Sequence, residues 1–208
     1  MEKKFRTGAL IVNGKPFKRK IAADIIAAAD GGFNLLKNRG ITPDIVIGDM
    51  DSIVQAIDVP VTVLPRVKDI TDGEAALDYL IDKGCTRIDI YAATSGRLDH
   101  IFGHIALLER ALTKNVTARL IDDEYEIYLT NKKLELNIPQ FVVRNSSFVI
   151  SLLPLTPKVH IMSTNGLAYP LENEILVRTA TRGISNIATS EKITIDVADG
   201  LLLVIIVR

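Results

Sequence analysis

The chain has 208 residues, of which 48% are hydrophobic, enough apolar material for one large domain or two small ones and too much for a disordered chain. Lys and Arg number 25 and Asp and Glu 25, so the net charge is zero, which excludes a nucleic-acid binder relying on a strong basic field. The single Cys85 excludes an internal disulfide framework and suits a reducing compartment.

The first apolar run, Gly8 to Val12, is too short for a signal-peptide core and ends at Asn13-Gly14-Lys15-Pro16. From there to about Asp122, short β-branched runs alternate with longer helical ones. Strands are expected at 9–12, 25–28, 45–47, 61–64, 88–92 and 117–121, with helices at 33–39, 73–83 and 98–112. Such alternation implies βαβ units and a mainly parallel sheet with helices on its faces. Thr71-Asp72-Gly73-Glu74 fits a capping box at the second helix start. Ile101, Ile105, Leu108 and Leu112 give the third helix a buried face, and Cys85 is expected in the turn between helix and strand.

After Asp122-Asp123 the texture changes. Short runs rich in Val, Ile and Leu at 124–130, 134–137, 147–153, 158–163, 174–179, 192–197 and 201–207 are separated by Pro, Asn and Gly turns. They predict an all-β second domain, a β-sandwich over 123–208, following an α/β domain over 1–122. The last run is far below the ~20 residues of a membrane span. No membrane partner is expected, and a cytoplasmic location follows by default.

Six aspartates stand in short motifs that each follow an apolar run or open a helical one: Asp30-Gly31-Gly32, Gly48-Asp49-Met50-Asp51-Ser52, Lys68-Asp69-Ile70-Thr71-Asp72 and Gly96-Arg97-Leu98-Asp99-His100. In an α/β sheet those places carry ligand-binding loops. From Gly40 to Pro65 there are four aspartates and no Lys or Arg. In extended chain, Asp49 and Asp51 point the same way, ~6.6–6.8 Å apart. Two like charges at ~6 Å repel by about 3 kcal/mol at an effective dielectric near 20, a cost that a shared cation turns into binding. Oxygen donors without Cys or clustered His favour Mg²⁺ or Mn²⁺ over zinc. Asp30-Gly31-Gly32 reads equally as a phosphate-cradling turn or an ordinary strand-to-helix turn. Arg97 offers a planar fork for phosphate oxygens or is a solvated surface residue. Asp99 and Asp72 are also explicable as helix-start residues favoured by the helix dipole. His100 reads as a helix-start residue ahead of a proton shuttle, and His104 is a weak metal ligand for want of neighbouring His or Cys.

Together and in order, these motifs resemble those of the thiamine pyrophosphokinase family. The later Gly166-Leu167-Ala168-Tyr169-Pro170-Leu171, Gly183-Ile184-Ser185-Asn186 and Gly200-Leu201-Leu202-Leu203-Val204 resemble its remaining elements, so the resemblance covers nearly the whole chain. It implies a Rossmann-like nucleotide-binding catalytic domain, a β-sandwich thiamine-binding domain, and a homodimer with active sites between subunits. It also implies transfer of the pyrophosphoryl group of ATP to the hydroxyl of thiamine, with Mg²⁺ as cofactor and AMP as second product. By the same resemblance Asp49, Asp51, Asp72 and Asp99 hold Mg²⁺ and polyphosphate. Asp30, Gly31, Gly32, Asp69 and Arg97 lie at ATP, and Tyr169, Ser185 and Asn186 at thiamine. Met50, where the family commonly has Phe, is expected to pack inward without consequence. Ala168 replaces a usual Lys. A different Mg-dependent Asp-x-Asp transferase or a nucleotide- or thiamine-sensing module are the competing readings. A P-loop kinase is disfavoured, because no Gly-x4-Gly-Lys-Ser/Thr occurs.

Overall fold

The computed structural model describes residues 5–54, 56–138 and 148–208. The chain divides into two units, Met1–Asp123 and Glu124–Arg208.

The first unit runs β1 (Arg6–Ile11), β2 (Ile25–Ala29), α1 (Gly32–Lys37), β3 (Ile45–Gly48), β4 (Val61–Val63), α2 (Asp72–Asp82), β5 (Cys85–Tyr91), α3 (Leu98–Thr113) and β6 (Thr117–Ile121). Its strands lie in the order β6-β5-β1-β2-β3-β4, every pair parallel. Parallel neighbours need crossovers, which the helices supply. The chain moves outward from β1 through β2, β3 and β4, then returns to the other side of β1 as β5. That reversal makes the carboxyl edge between β1 and β5 a topological switch point, where open α/β sheets bind ligands. Ala27, Ala28 and Ala29 are poor strand formers by propensity, yet β2 is sandwiched between β1 and β3 and they are buried. Context decides that strand.

Thr71 caps α2 as expected, its Oγ1 accepting from Glu74 N at 3.1 Å. The Glu74 carboxylate pairs with Arg110 of α3 at 3.1 Å, which ties the two helices together. Two expectations need correcting. The buried stripe of α3 is His104, Leu107, Leu108 and Ala111, with Ile101, Ile105 and Leu112 only half-buried. The helix is rotated so that His104 faces inward, where its Nδ1 lies 2.8 Å from Ala93 O. A periodicity count treats histidine as polar and misses this. Cys85 is already the first residue of β5 and buried, because Gly84 at φ +81° makes the turn before it.

The second unit runs β7 (Tyr125–Thr130), β8 (Leu134–Asn137), β9 (Val149–Pro154), β10 (Lys158–Asn165), β11 (Glu172–Val177), β12 (Asn186–Ile187), β13 (Lys192–Asp199) and β14 (Leu202–Val207). The expected strand start at Ser147 lies outside the described residues. Strands pair antiparallel in the orders β12-β9-β14-β7 and β11-β10-β13-β8. Alternate residues of both sets enter one apolar cluster: Ile150, Leu152 and Val204 from the first, Val159, Ile161, Ile193 and Ile195 from the second. Each such fully buried side chain contributes about 1.5–3 kcal/mol over an exposed one. Among the described residues no helix is long and apolar enough to cross a membrane.

Candidate active site

Register puts the motif loops on one edge. Ile11 lies opposite Ala28 and Tyr91, Tyr91 opposite Ile121, and Ala29 opposite Ile47. The segments beginning at Val12, Asp30, Asp49, Ala92 and Asp122 therefore all leave the carboxyl edge of one parallel sheet.

Asp30 follows β2 in the left-handed region at φ 44°, a conformation aspartate tolerates better than most residues. Its N–H donates to Ile47 O at 2.9 Å, so it sits beside the end of β3. A Cβ on Gly48 would stand 2.9 Å from Asp30 Cβ; glycine is what permits the approach. Gly31 and Gly32 have a packing reason as well, since a Cβ there would meet the Asn13 side chain at 2.5 Å and Ile11 O at 2.2 Å.

The Asp49–Ser52 turn is held from within and from α1. Asp51 N donates to Asp49 Oδ1 at 3.2 Å and Ser52 Oγ to Asp51 Oδ1 at 3.0 Å. Asn34 brackets the loop, donating to Ser52 O at 2.8 Å and accepting from Val54 N at 3.2 Å. Met50 is half-buried at φ 65°, so its backbone takes the sharp turn rather than its side chain filling the core, a correction to its expected inward packing.

One carboxylate oxygen from each of Asp30, Asp49 and Asp51 comes within 4.8 Å of the other two. At that spacing each pair of charges repels by roughly 3 kcal/mol at an effective dielectric near 20. Asp30 Oδ1 is buried and, among the described residues, has no hydrogen-bond partner. Arg66 reaches Asp51 at 3.7 Å, but both side chains are exposed and such a pair offsets little. A buried acceptor without a donor is costly unless something fills the place. An oxygen-only group of this kind suits a hard divalent cation.

Asp72 and Asp99 stand outside this group. Lys68 Nζ lies 2.8 Å from Asp72 Oδ1, with both side chains largely shielded. Arg97 grips Asp99 with both arms, Nε to Oδ1 at 3.2 Å and Nη2 to Oδ2 at 2.6 Å, which holds the carboxyl below its ordinary range. Each aspartate opens a helix and has its cation a few residues upstream, so the local pair forms without any long-range folding. A Cβ on Gly73, next to Asp72, would lie 3.7 Å from Val12 Cγ1 just past β1, which puts the start of α2 near the carboxyl edge. Asp69 is exposed. His104 is a buried structural histidine whose pKa is lowered, chiefly by burial.

In the second unit, Tyr169, Ser185 and Asn186 are brought together. Asn186 is buried and spends its amide on the backbone of Tyr169, accepting from Tyr169 N at 3.0 Å and donating to Tyr169 O at 2.6 Å. Ala168 N donates to Ile187 O at 2.9 Å alongside. Ser185, at φ 63°, donates its N–H to Ser151 Oγ at 3.1 Å. Tyr169 is 65% exposed. Asn186 thus holds the turn that displays the ring. The roles of Asn34 and Lys68 were missed in the sequence; only the four-residue spacing of Lys68 and Asp72 was available as a signal.

Comparison with known proteins gives a consistent picture. The family model "Thiamin pyrophosphokinase, catalytic domain" matches residues 18–120, and "Thiamin pyrophosphokinase, vitamin B1 binding domain" matches residues 140–202. A thiamine pyrophosphokinase of Bacillus subtilis is 31% identical over 183 residues, covering 85% of this chain and 84% of the relative. A crystal structure of thiamine pyrophosphokinase from that organism superposes with a TM-score of 0.86 at 26% identity, covering 98% of this chain and 99% of the other. The enzyme structure from Geobacillus thermodenitrificans gives 0.81 at 26% identity, covering 97% of each chain. One from Candida albicans also gives 0.81, at 18% identity, covering 99% of this chain and 90% of the other, a likeness of fold.

Proposed function

The chain belongs to the thiamin pyrophosphokinase family and carries its activity, pyrophosphoryl transfer from ATP to the hydroxyl of thiamine, and we propose the following division of labour among its residues. The parallel unit is a Rossmann-like nucleotide-binding catalytic domain. The antiparallel unit is a β-sandwich that receives thiamine.

Asp30, Asp49 and Asp51 hold Mg²⁺; the buried, unpartnered Oδ1 of Asp30 beside two further carboxylates is the observation that carries this reading. The cation, when bound, neutralises polyphosphate charge and polarises phosphorus for attack. Arg97 and Lys68 lie at the polyphosphate, whose oxyanions compete with Asp99 and Asp72 for them. The thiamine oxygen bonds to the β-phosphorus as the bond from that phosphorus to the α-bridging oxygen breaks, and AMP leaves. The hydroxyl proton passes to a carboxylate. Asp72 is our choice, because it stands outside the cation-holding group and is released for a proton when the polyphosphate takes its Lys68 partner. Positioning and charge neutralisation supply most of the catalysis in such transfers. The exposed Tyr169 ring offers a π-face to the cationic thiazolium, worth about 0.5–2 kcal/mol.

The protein is proposed to be cytoplasmic and to act as a homodimer with active sites between subunits. Exposed Leu98 and Phe102, one turn apart on α3, are apolar surface in keeping with a subunit contact. Sedimentation reports the oligomeric state directly.

The decisive assay incubates the purified protein with ATP, Mg²⁺ and thiamine and resolves AMP from ADP. AMP with thiamine diphosphate is expected. ADP, or turnover indifferent to thiamine, would sink the reading.

A further inference from the structure

Asp122 follows β6 and is nine-tenths buried. Its carboxylate is wholly committed to the segment after β5: Oδ1 accepts from Ala92 N at 2.7 Å, and Oδ2 accepts from Thr94 N at 2.8 Å and from Thr94 Oγ1. Ala92 lies in the left-handed region at φ 60°, which a residue with a Cβ adopts only when its surroundings impose it. The same segment is gripped on its carbonyl side. His104 Nδ1 lies 2.8 Å from Ala93 O, and a carbonyl can only accept, so that nitrogen carries the proton. Ser95 Oγ accepts from Lys15 N at 2.9 Å, and a Cβ on Gly14 would lie 1.9 Å from Ala92 O. Residues 92–95 are therefore clamped from β6, from α3 and from the loop after β1. They sit at the switch point between β1 and β5, and the next residues are Gly96-Arg97-Leu98-Asp99.

We infer that Asp122 is a positioning residue for nucleotide use: by fixing the backbone of Ala92 and Thr94 it sets where Arg97 and Asp99 meet the polyphosphate. Its oxygens are spent on the chain, so it acts through that segment and touches no substrate. The inference rests on the reading that Arg97 faces the polyphosphate. A carboxylate that only stabilised the fold would need no particular aim at this loop. Here both its oxygens converge on two alternate N–H groups at the one strained turn that launches the motif.

The test uses the full chain, assayed well below the melting temperatures of all variants. Asp122→Asn keeps the size but sets an NH₂ group against one of the donors it should accept from. Its kcat/KM for MgATP should fall about 5- to 30-fold, as for a lost charge-assisted hydrogen bond, while KM for thiamine stays within about twofold. Thr94→Val should show the same split more weakly, and Thr94→Ser should restore it. Combined with Arg97→Ala, Asp122→Asn should add little further loss, since both act through one side chain. A lowered melting temperature with wild-type kinetics would overturn the inference, as would full additivity with Arg97→Ala. If Arg97→Ala alone is kinetically silent, the reading beneath it fails and the inference falls with it. If Asp122→Asn does not fold, the Thr94 pair decides: wild-type kinetics in Thr94→Val overturns it.

Discussion

Asp30 and Asp122 close two strands of one parallel sheet at the same edge, and the fold treats them in opposite ways. Both are nine-tenths buried. Asp122 has each oxygen filled by backbone and hydroxyl donors of residues 92–94. Asp30 leaves Oδ1 without a donor and gathers Asp49 and Asp51 around it. Burial alone therefore does not mark a functional carboxylate. What separates the two is whether the fold satisfies the charge: donors of the chain meet Asp122, and none among the described residues reaches Asp30 Oδ1. The second unit repeats the contrast with other chemistry, since Asn186 is spent on the backbone of Tyr169 while the Tyr169 ring is left exposed.

The comparison is most easily broken on its unsatisfied side. Asp51→Asn should cut AMP formation by about 10²–10³-fold, the scale of removing one electrostatic group from a reacting centre. Its melting temperature should hold or rise, because one of three mutually repelling charges is gone; a collapsed fold would make Asp51 structural. On the satisfied side, Asp122→Ala should do the reverse first, lowering stability in urea by about 1–3 kcal/mol by stranding the Ala92 and Thr94 donors. An unchanged unfolding midpoint would erase the distinction. In the second unit, Tyr169→Leu should raise KM for thiamine about 2- to 30-fold and leave KM for ATP alone, matching a lost cation–π contact. Tyr169→Phe should stay near wild type; a large loss there would implicate the hydroxyl instead.

The smallest effect concerns His104, which shares the grip on residues 92–95. Burial lowers its folded-state pKa, so between that value and about 6.5 the unfolded chain binds a proton that the folded chain refuses. Its contribution is whole above about pH 6.5 and is lost as pH falls toward the folded value. His104→Asn should flatten that part of the stability–pH curve relative to wild type, as read by thermal melts from pH 7 to pH 5. An unaltered slope would show that His104 does not report on the clamp.

Much of the fold was legible because it is written in short-range periodicity. The runs at 45–47 and 117–121 and the Thr71 cap emerged nearly as expected, since strand alternation and N-cap chemistry depend on residues a few positions apart. The α3 face was misjudged by a rotation, because only contact with Ala93 reveals that His104 turns inward. The two-residue β12 was invisible, being defined by its pairing with β9 and not by its own composition.

The sequence by itself determined the alternating first half, the strand-rich second half, and the local Asp49–Asp51 pair. The first two rest on spacings of two to four residues, which strands and helices convert directly into common faces; the pair is brought together by a turn at Met50, φ 65°, in place of the extended chain expected. Only the tertiary structure decided that Asp30 joins that pair while Asp72 and Asp99 take local cations, that Asp122 is spent on a loop thirty positions away, and that Asn186 holds Tyr169. A carboxylate's meaning depends on which donors reach it, and strand pairing between distant segments sets those donors.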